Sequence, residues 1–278
     1  MLSTMILAMM ITLAPPGQSA SSVIVEPSCG AAPGKPECDV RPAPTWSPFY
    51  KGFVRRENKD EALKRYVLIA QAIEKISVAM TTAPKRDDGT QAPPPWPGSA
   101  EDLAKALVTI AHHESSFRRD VHSGVGPFAL GDCAYWDRMG KRVPVSMARK
   151  LGVVGTNCQS VCLMQLNTGG LERSRFGFQG KEMVGIDQAS TEKCFAAGAK
   201  ALTEARARCA ATRSEGWFAR SVASYVTGDA CDTDPEWVTA RINTFDRIGK
   251  ISADSLPKDV RALLLPDADK SGSSAPSP

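Results

Sequence analysis

The run from Ser99 to Phe117 constrains this chain more than any other, because it reads as one amphipathic helix with a carboxylate on its apolar side. Ser99 stands at the N-cap position, and Glu101 and Asp102 follow in the first turn, where the positive end of the helix dipole favours acids. Leu103, Leu107, Ile110 and Ala111 recur at helical spacing on one face, and Glu114 falls on that face too. Burial and the negative end of its own helix both disfavour a charged carboxylate, so the protonated form is expected to persist toward neutral pH. A carboxylic acid kept protonated is what general-acid catalysis needs. The competing reading is structural: a buried glutamate ion-paired with Arg118, Arg119 or another arginine.

The N-terminus and the cysteines speak to compartment. Residues 5–14 form an apolar stretch of signal-peptide length, too short to span a bilayer; Pro15, Pro16 and Gly17 break it, and Gln18-Ser19-Ala20 offers small residues for cleavage. The segment lacks the usual basic residue before its apolar core. We read residues 1–20 as a signal peptide and the chain as exported, periplasmic or secreted. The eight cysteines, Cys29, Cys38, Cys133, Cys158, Cys162, Cys194, Cys209 and Cys231, all lie beyond that segment. In an exported protein an even set suggests disulfides. A metal site on Cys158 and Cys162 is the weaker alternative, since no second pair stands at finger-like spacing.

Along the rest of the chain, residues 21–57 read as a Pro- and Gly-rich arm. Residues 58–250 read as one mainly helical domain, and 251–278 as a largely disordered tail. Asp60 to Thr82 predicts a helix with Leu63, Tyr66, Ala70 and Ile73 inward. Pro93-Pro94-Pro95-Trp96-Pro97 then predicts a stiff spacer. Between Val121 and Gln159 no periodicity is strong, so a long irregular insertion is expected, with a short helix at Val145 to Leu151; Cys133 and Cys158 near its ends suggest that a disulfide holds it down, the pairing being open. Ser190 to Cys209 predicts a helix with a seam of small residues, Cys194, Gly198, Ala201 and Ala205. Cys194 and Cys209 would stand about 22 Å apart along it, at about 1.5 Å per residue, too far to pair with each other. Ser214 to Val226 predicts a further helix, and Asp234-Pro235-Glu236 opens one that buries Val238, Ile242 and Phe245. The net charge of +4 is mixed in sign along the chain, and no basic block with interleaved aromatics suggests nucleic-acid binding.

Taken in order, four motifs resemble those of the lytic transglycosylases of the lysozyme-like superfamily. Glu114-Ser115-Ser116-Phe117 is similar to the Glu-Ser-x-Phe that ends the family's catalytic helix. Ser160-Val161-Cys162-Leu163-Met164-Gln165 resembles its Gly-Leu-Met-Gln segment, Ile186-Asp187 through Cys194 to Leu202 its following helix, and Ala223-Ser224-Tyr225-Val226-Thr227-Gly228 its Ala-x-Tyr-Asn-x-Gly. The resemblance spans roughly residues 60 to 230. Three positions depart from it: Cys162 replaces a glycine, while Cys194 and Val226 replace asparagines. The gap from Glu114 to Gln165 is also longer than the family's. Because several changes introduce cysteine, a disulfide-reinforced branch is expected.

The resemblance implies a lysozyme-like helical fold and cleavage of the β-1,4 bond between N-acetylmuramic acid and N-acetylglucosamine in peptidoglycan. Glu114 would be the single catalytic acid and base, giving 1,6-anhydro ends, with no cofactor and no metal. Met164, Gln165, Tyr225 and Ser115 would be substrate-binding residues, although Ser115 also suits a bond to its own helix end. The expected partner is the glycan strand, met by a monomer without a membrane span. A hydrolytic lysozyme needs a second carboxylate, for which Asp120, Asp132 and Asp137 stand nearest. A non-catalytic wall-binding domain of the same fold is a further alternative. A zinc enzyme built on His112, His113 and His122 is disfavoured, because Phe117 occupies the second histidine position of the zincin pattern.

Overall fold

The structure, a computed structural model, describes residues 2–13, 22–24, 41–42, 53–123, 160–167, 177–178, 182–212, 220–222, 225, 231 and 236–264. It is mainly helical. Helix α1 spans Leu2–Leu13, α2 Lys59–Thr81, α3 Ala100–Ser115, α4 Arg119–His122, α5 Gln188–Thr212, α6 Glu236–Ile248 and α7 Lys258–Ala262. Short strands β1 (Ser22–Ile24), β2 (Arg41–Pro42) and β3 (Phe53–Arg56) form an antiparallel sheet in the order β1-β3-β2, inside the segment read as an arm. Strands β4 (Ser160–Val161) and β5 (Leu166–Asn167) make a small hairpin. The expected helix at Val145 to Leu151, the Cys29, Cys38, Cys133 and Cys158 residues, and Asp132 and Asp137 lie outside the described residues, as does the side chain of Asp120.

The core is one cluster shared by α1, α2, α3 and α5, and side-chain caps open α2 and α3. Asn58 closes a capping box on α2: its Oδ1 accepts from the Glu61 amide at 2.9 Å while Glu61 Oε2 accepts from the Asn58 amide at 3.1 Å. Ser99 Oγ accepts from the Asp102 amide at 3.0 Å to start α3. Tyr66, Ile69, Ile73, Leu103, Leu107 and Ile110 are buried between them. The proline-rich loop is pinned from its middle. Trp96 is buried in that core, its amide donates to the Met80 carbonyl at 2.8 Å, and the Arg206 guanidinium lies 5.4 Å from its ring centre.

Two segments differ from expectation. The apolar residues read as a signal peptide form α1, which packs on α2, α3 and the 3-10 turn Ala253–Ser255; Ile6, Leu7, Met9 and Met10 are fully buried, and Ser3 hydrogen-bonds Glu74. No helix among the described residues is long and apolar enough to cross a membrane. Residues 251–264, read as the start of a disordered tail, are folded, with Leu256 buried and Ile251, Val260 and Leu264 packed against the core. Leu256, Val260 and Leu264 recur at four-residue spacing, and their contact with the core holds the segment in place.

Candidate active site

Glu114 occupies the last turn of α3, and the backbone just beyond it is unusual. Ser116 and Phe117 both adopt left-handed backbone angles, φ 49° and 53°. Two consecutive non-glycine residues there carry a conformational cost that surrounding contacts must hold in place. Those contacts are visible. The Ser116 amide donates to the His112 carbonyl at 2.8 Å, and Ser115 Oγ donates to the Ala111 carbonyl at 2.8 Å. Phe117 is fully buried edge-on to Tyr66, with ring centres 5.9 Å apart. The Ser115 hydroxyl therefore serves the helix end. The chain reverses sharply beyond Glu114, leaving the carboxylate at a corner with 16% of the side chain exposed.

The near neighbour of that carboxylate comes from α6. Arg241 Nη2 donates to Glu114 Oε1 at 3.1 Å, and only 13% of the arginine side chain is exposed. A second contact ties the same helices, His113 Nε2 to Thr244 Oγ1 at 3.1 Å. Burial, followed by the nearby Arg241 charge, pushes the His113 imidazole down to about 4, and burial with Arg247 lowers His112 as well. Both rings are therefore neutral at pH 7. Among the described residues no group of three or more His, Cys, Asp or Glu side chains is placed to hold a metal ion. The third histidine, His122, is buried away from this corner, with Nε2 2.7 Å from Thr191 Oγ1.

The second motif builds a tight loop between β4 and β5. Cys162 and Gln165 are again left-handed, φ 59° and 47°. The Gln165 amide donates to the Cys162 carbonyl at 3.0 Å, and its side-chain Nε2 donates to the same oxygen at 2.9 Å. Tyr225 donates its hydroxyl to the Met164 carbonyl at 3.0 Å. Met164 is buried against Gly198 so closely that a Cβ added there would lie 2.6 Å from Met164 Cε. The small-residue seam of α5 thus receives a methionine.

Cys162 and Cys194 are joined to each other, with Cα atoms 6.1 Å apart. Two of the three departures from the family pattern are therefore one bond, fixing the loop to α5. Cys209 joins Cys231 across 5.0 Å, so Cys194 and Cys209 take different partners, as their spacing on one helix requires.

The structure thus joins Met164, Gln165 and Tyr225 in one unit, and Glu114 with Arg241 in another. Both rest on one core that contains Ala111, Phe117, Leu163 and Met164. Arg241 was missed by sequence reasoning. Its signal was its place on α6, three residues after Val238 and four before Phe245, on the face already assigned inward. No family model, curated protein or solved structure matches the chain.

Proposed function

We propose that this chain is a peptidoglycan lytic transglycosylase with Glu114 as its single acid and base. One observation carries the reading: all four left-handed non-glycine residues among those described, Ser116, Phe117, Cys162 and Gln165, fall in the two motifs that would form the cleft. Strained backbone held by its surroundings concentrates at functional sites, and here it coincides with the segments singled out for chemistry on other grounds. Left-handed Cys162 also stands where the family has glycine, the residue that reaches this conformation without penalty.

In this reading protonated Glu114 gives its proton to the glycosidic oxygen as positive charge builds at the sugar carbon. The resulting carboxylate then takes the proton of the muramoyl 6-hydroxyl, whose oxygen attacks that carbon and closes a 1,6-anhydro ring. The proton is returned, and no water is consumed. Met164 and Gln165 would line the cleft, held by Tyr225 and the Cys162–Cys194 bond. Glu114→Gln is expected to keep the fold and lower wall cleavage at least about 100-fold, the ordinary contribution of a general acid. Turbidity loss of purified cell walls measures it. Mass spectrometry of the muropeptides should show ends lighter by one water that resist borohydride; reducible ends would make the enzyme a hydrolase.

A second reading has an observation of its own in the Glu114–Arg241 pair, which suits a structural ion pair in a non-catalytic wall-binding domain. That reading predicts wall binding without turnover and a lower melting temperature in Glu114→Gln.

A further inference from the structure

The guanidinium beside Glu114 has a consequence for when the acid can act. Resting on the reading above, we infer that Arg241 is a positioning residue that holds Glu114 as a carboxylate drawn toward α6, so that cleavage is confined to acidic conditions. A carboxylate can take a proton but cannot give one, and the proposed reaction begins with giving. The pair is 3.1 Å long and mostly out of water, so it is not a screened surface contact.

Arg241 is the cation hydrogen-bonded to the Glu114 carboxylate, and other charges stand on the described elements around it. His112 and His113 are neutral at pH 7. Arg247 on α6 acts on both rings and adds positive charge of the same sign as Arg241. Helix α1 and the β4–β5 hairpin, residues 160–167, carry no charged side chain. On α2 and α5, Arg65 pairs with Glu57, Lys75 with Glu192 and Lys193 with Glu182. Tyr66, packed on Phe117, is pushed up to about 12 by burial and stays neutral.

The test compares the full-length chain with Arg241→Gln and Arg241→Lys. The Glu114 carboxyl carbon is followed by NMR in glutamate-labelled protein, its resonance identified by its loss in Glu114→Gln. The pH–rate profile of wall cleavage is recorded beside it. In Arg241→Gln the titration midpoint should rise by about one unit or more. The alkaline limb of the rate profile should move up equally, raising cleavage at neutral pH, with Arg241→Lys close to the parent chain. A role in packing alone would lower melting temperature and rate together and leave both midpoints in place. An unchanged Glu114 midpoint in Arg241→Gln overturns the inference. If Arg241→Gln does not fold, Arg241→Met takes its place, and a downward or absent shift there overturns the inference instead. Absence of cleavage by the parent chain at every pH overturns the proposed function, and the inference with it, whatever the titration shows.

Discussion

At the scale of single residues, the histidines set how the fold responds to acid. His122, His113 and His112 are all harder to protonate in the folded chain than in the unfolded one, chiefly through burial. Below the unfolded value of 6.5 the unfolded chain therefore binds more protons. Stability is complete above that pH and is lost as pH falls toward about 4, where His113 titrates. Urea midpoints measured from pH 7.5 to 4.5 should fall steadily, and a flat series would contradict this burial of neutral rings. The proposed catalyst thus faces opposed demands, because Glu114 works better where the histidines destabilise the fold. Ser116 supplies a second expectation. At φ 49° in the C-cap of α3 a glycine meets no Cβ penalty, so Ser116→Gly should stabilise by up to about 1 kcal/mol in equilibrium unfolding. Sequence reasoning did not see the turn after Glu114, because left-handed angles announce themselves through glycine or asparagine and here fall on serine and phenylalanine. The Arg241 pairing was hidden for another reason: it joins residues 127 positions apart, and no local pattern encodes that.

At the scale of elements, helix α5 is where a small change should be most informative. Gly198→Ala gains about 1 kcal/mol of helix propensity but drives a methyl group into Met164 Cε and, at 2.9 Å, Cγ. Overpacking of that kind costs about 1–3 kcal/mol, so a net loss of up to about 2 kcal/mol is expected in denaturant unfolding. Because the Met164 carbonyl receives the Tyr225 hydroxyl, wall cleavage should fall further than stability alone explains. Helices α2 and α3 were legible within one or two residues, α5 within three, and α6 at its start, because strong apolar periodicity and caps such as Ser99 are local signals. The inward face of α6 was legible only in part: Ile242 and Phe245 are half-buried, but Thr244 and Ile248 are its buried members. Trp96 shows the same limit. A proline run read as a spacer proves to be anchored by its one tryptophan, which nothing within the run itself could specify.

At the scale of the whole molecule, α1 covers apolar surface on α2 and α3, and each of its buried Ile, Leu and Met side chains is worth about 1.5–3 kcal/mol. A chain starting at Ser21 should melt below the full-length chain and bind a hydrophobic dye more strongly; equal melts would mean the covered surface finds another partner. Sequence composition suggested export and could not foresee this seat, since an apolar stretch suits a translocation channel and a protein core alike. The two disulfides have a longer reach. One fastens the loop of Met164 and Gln165 to the first half of α5, and the other fastens Cys231 to its last turn. They close loops of 32 and 22 residues, each worth about 3–4 kcal/mol in the chain-entropy account. The helix is thus a beam pinned near both ends, and the proposed glycan groove is assembled by fastening other segments to it. In a reducing cytosol both pins are open, and a cell making such a cutter would carry it half-assembled until it met an oxidising space. Redox chemistry would then serve as the safety catch.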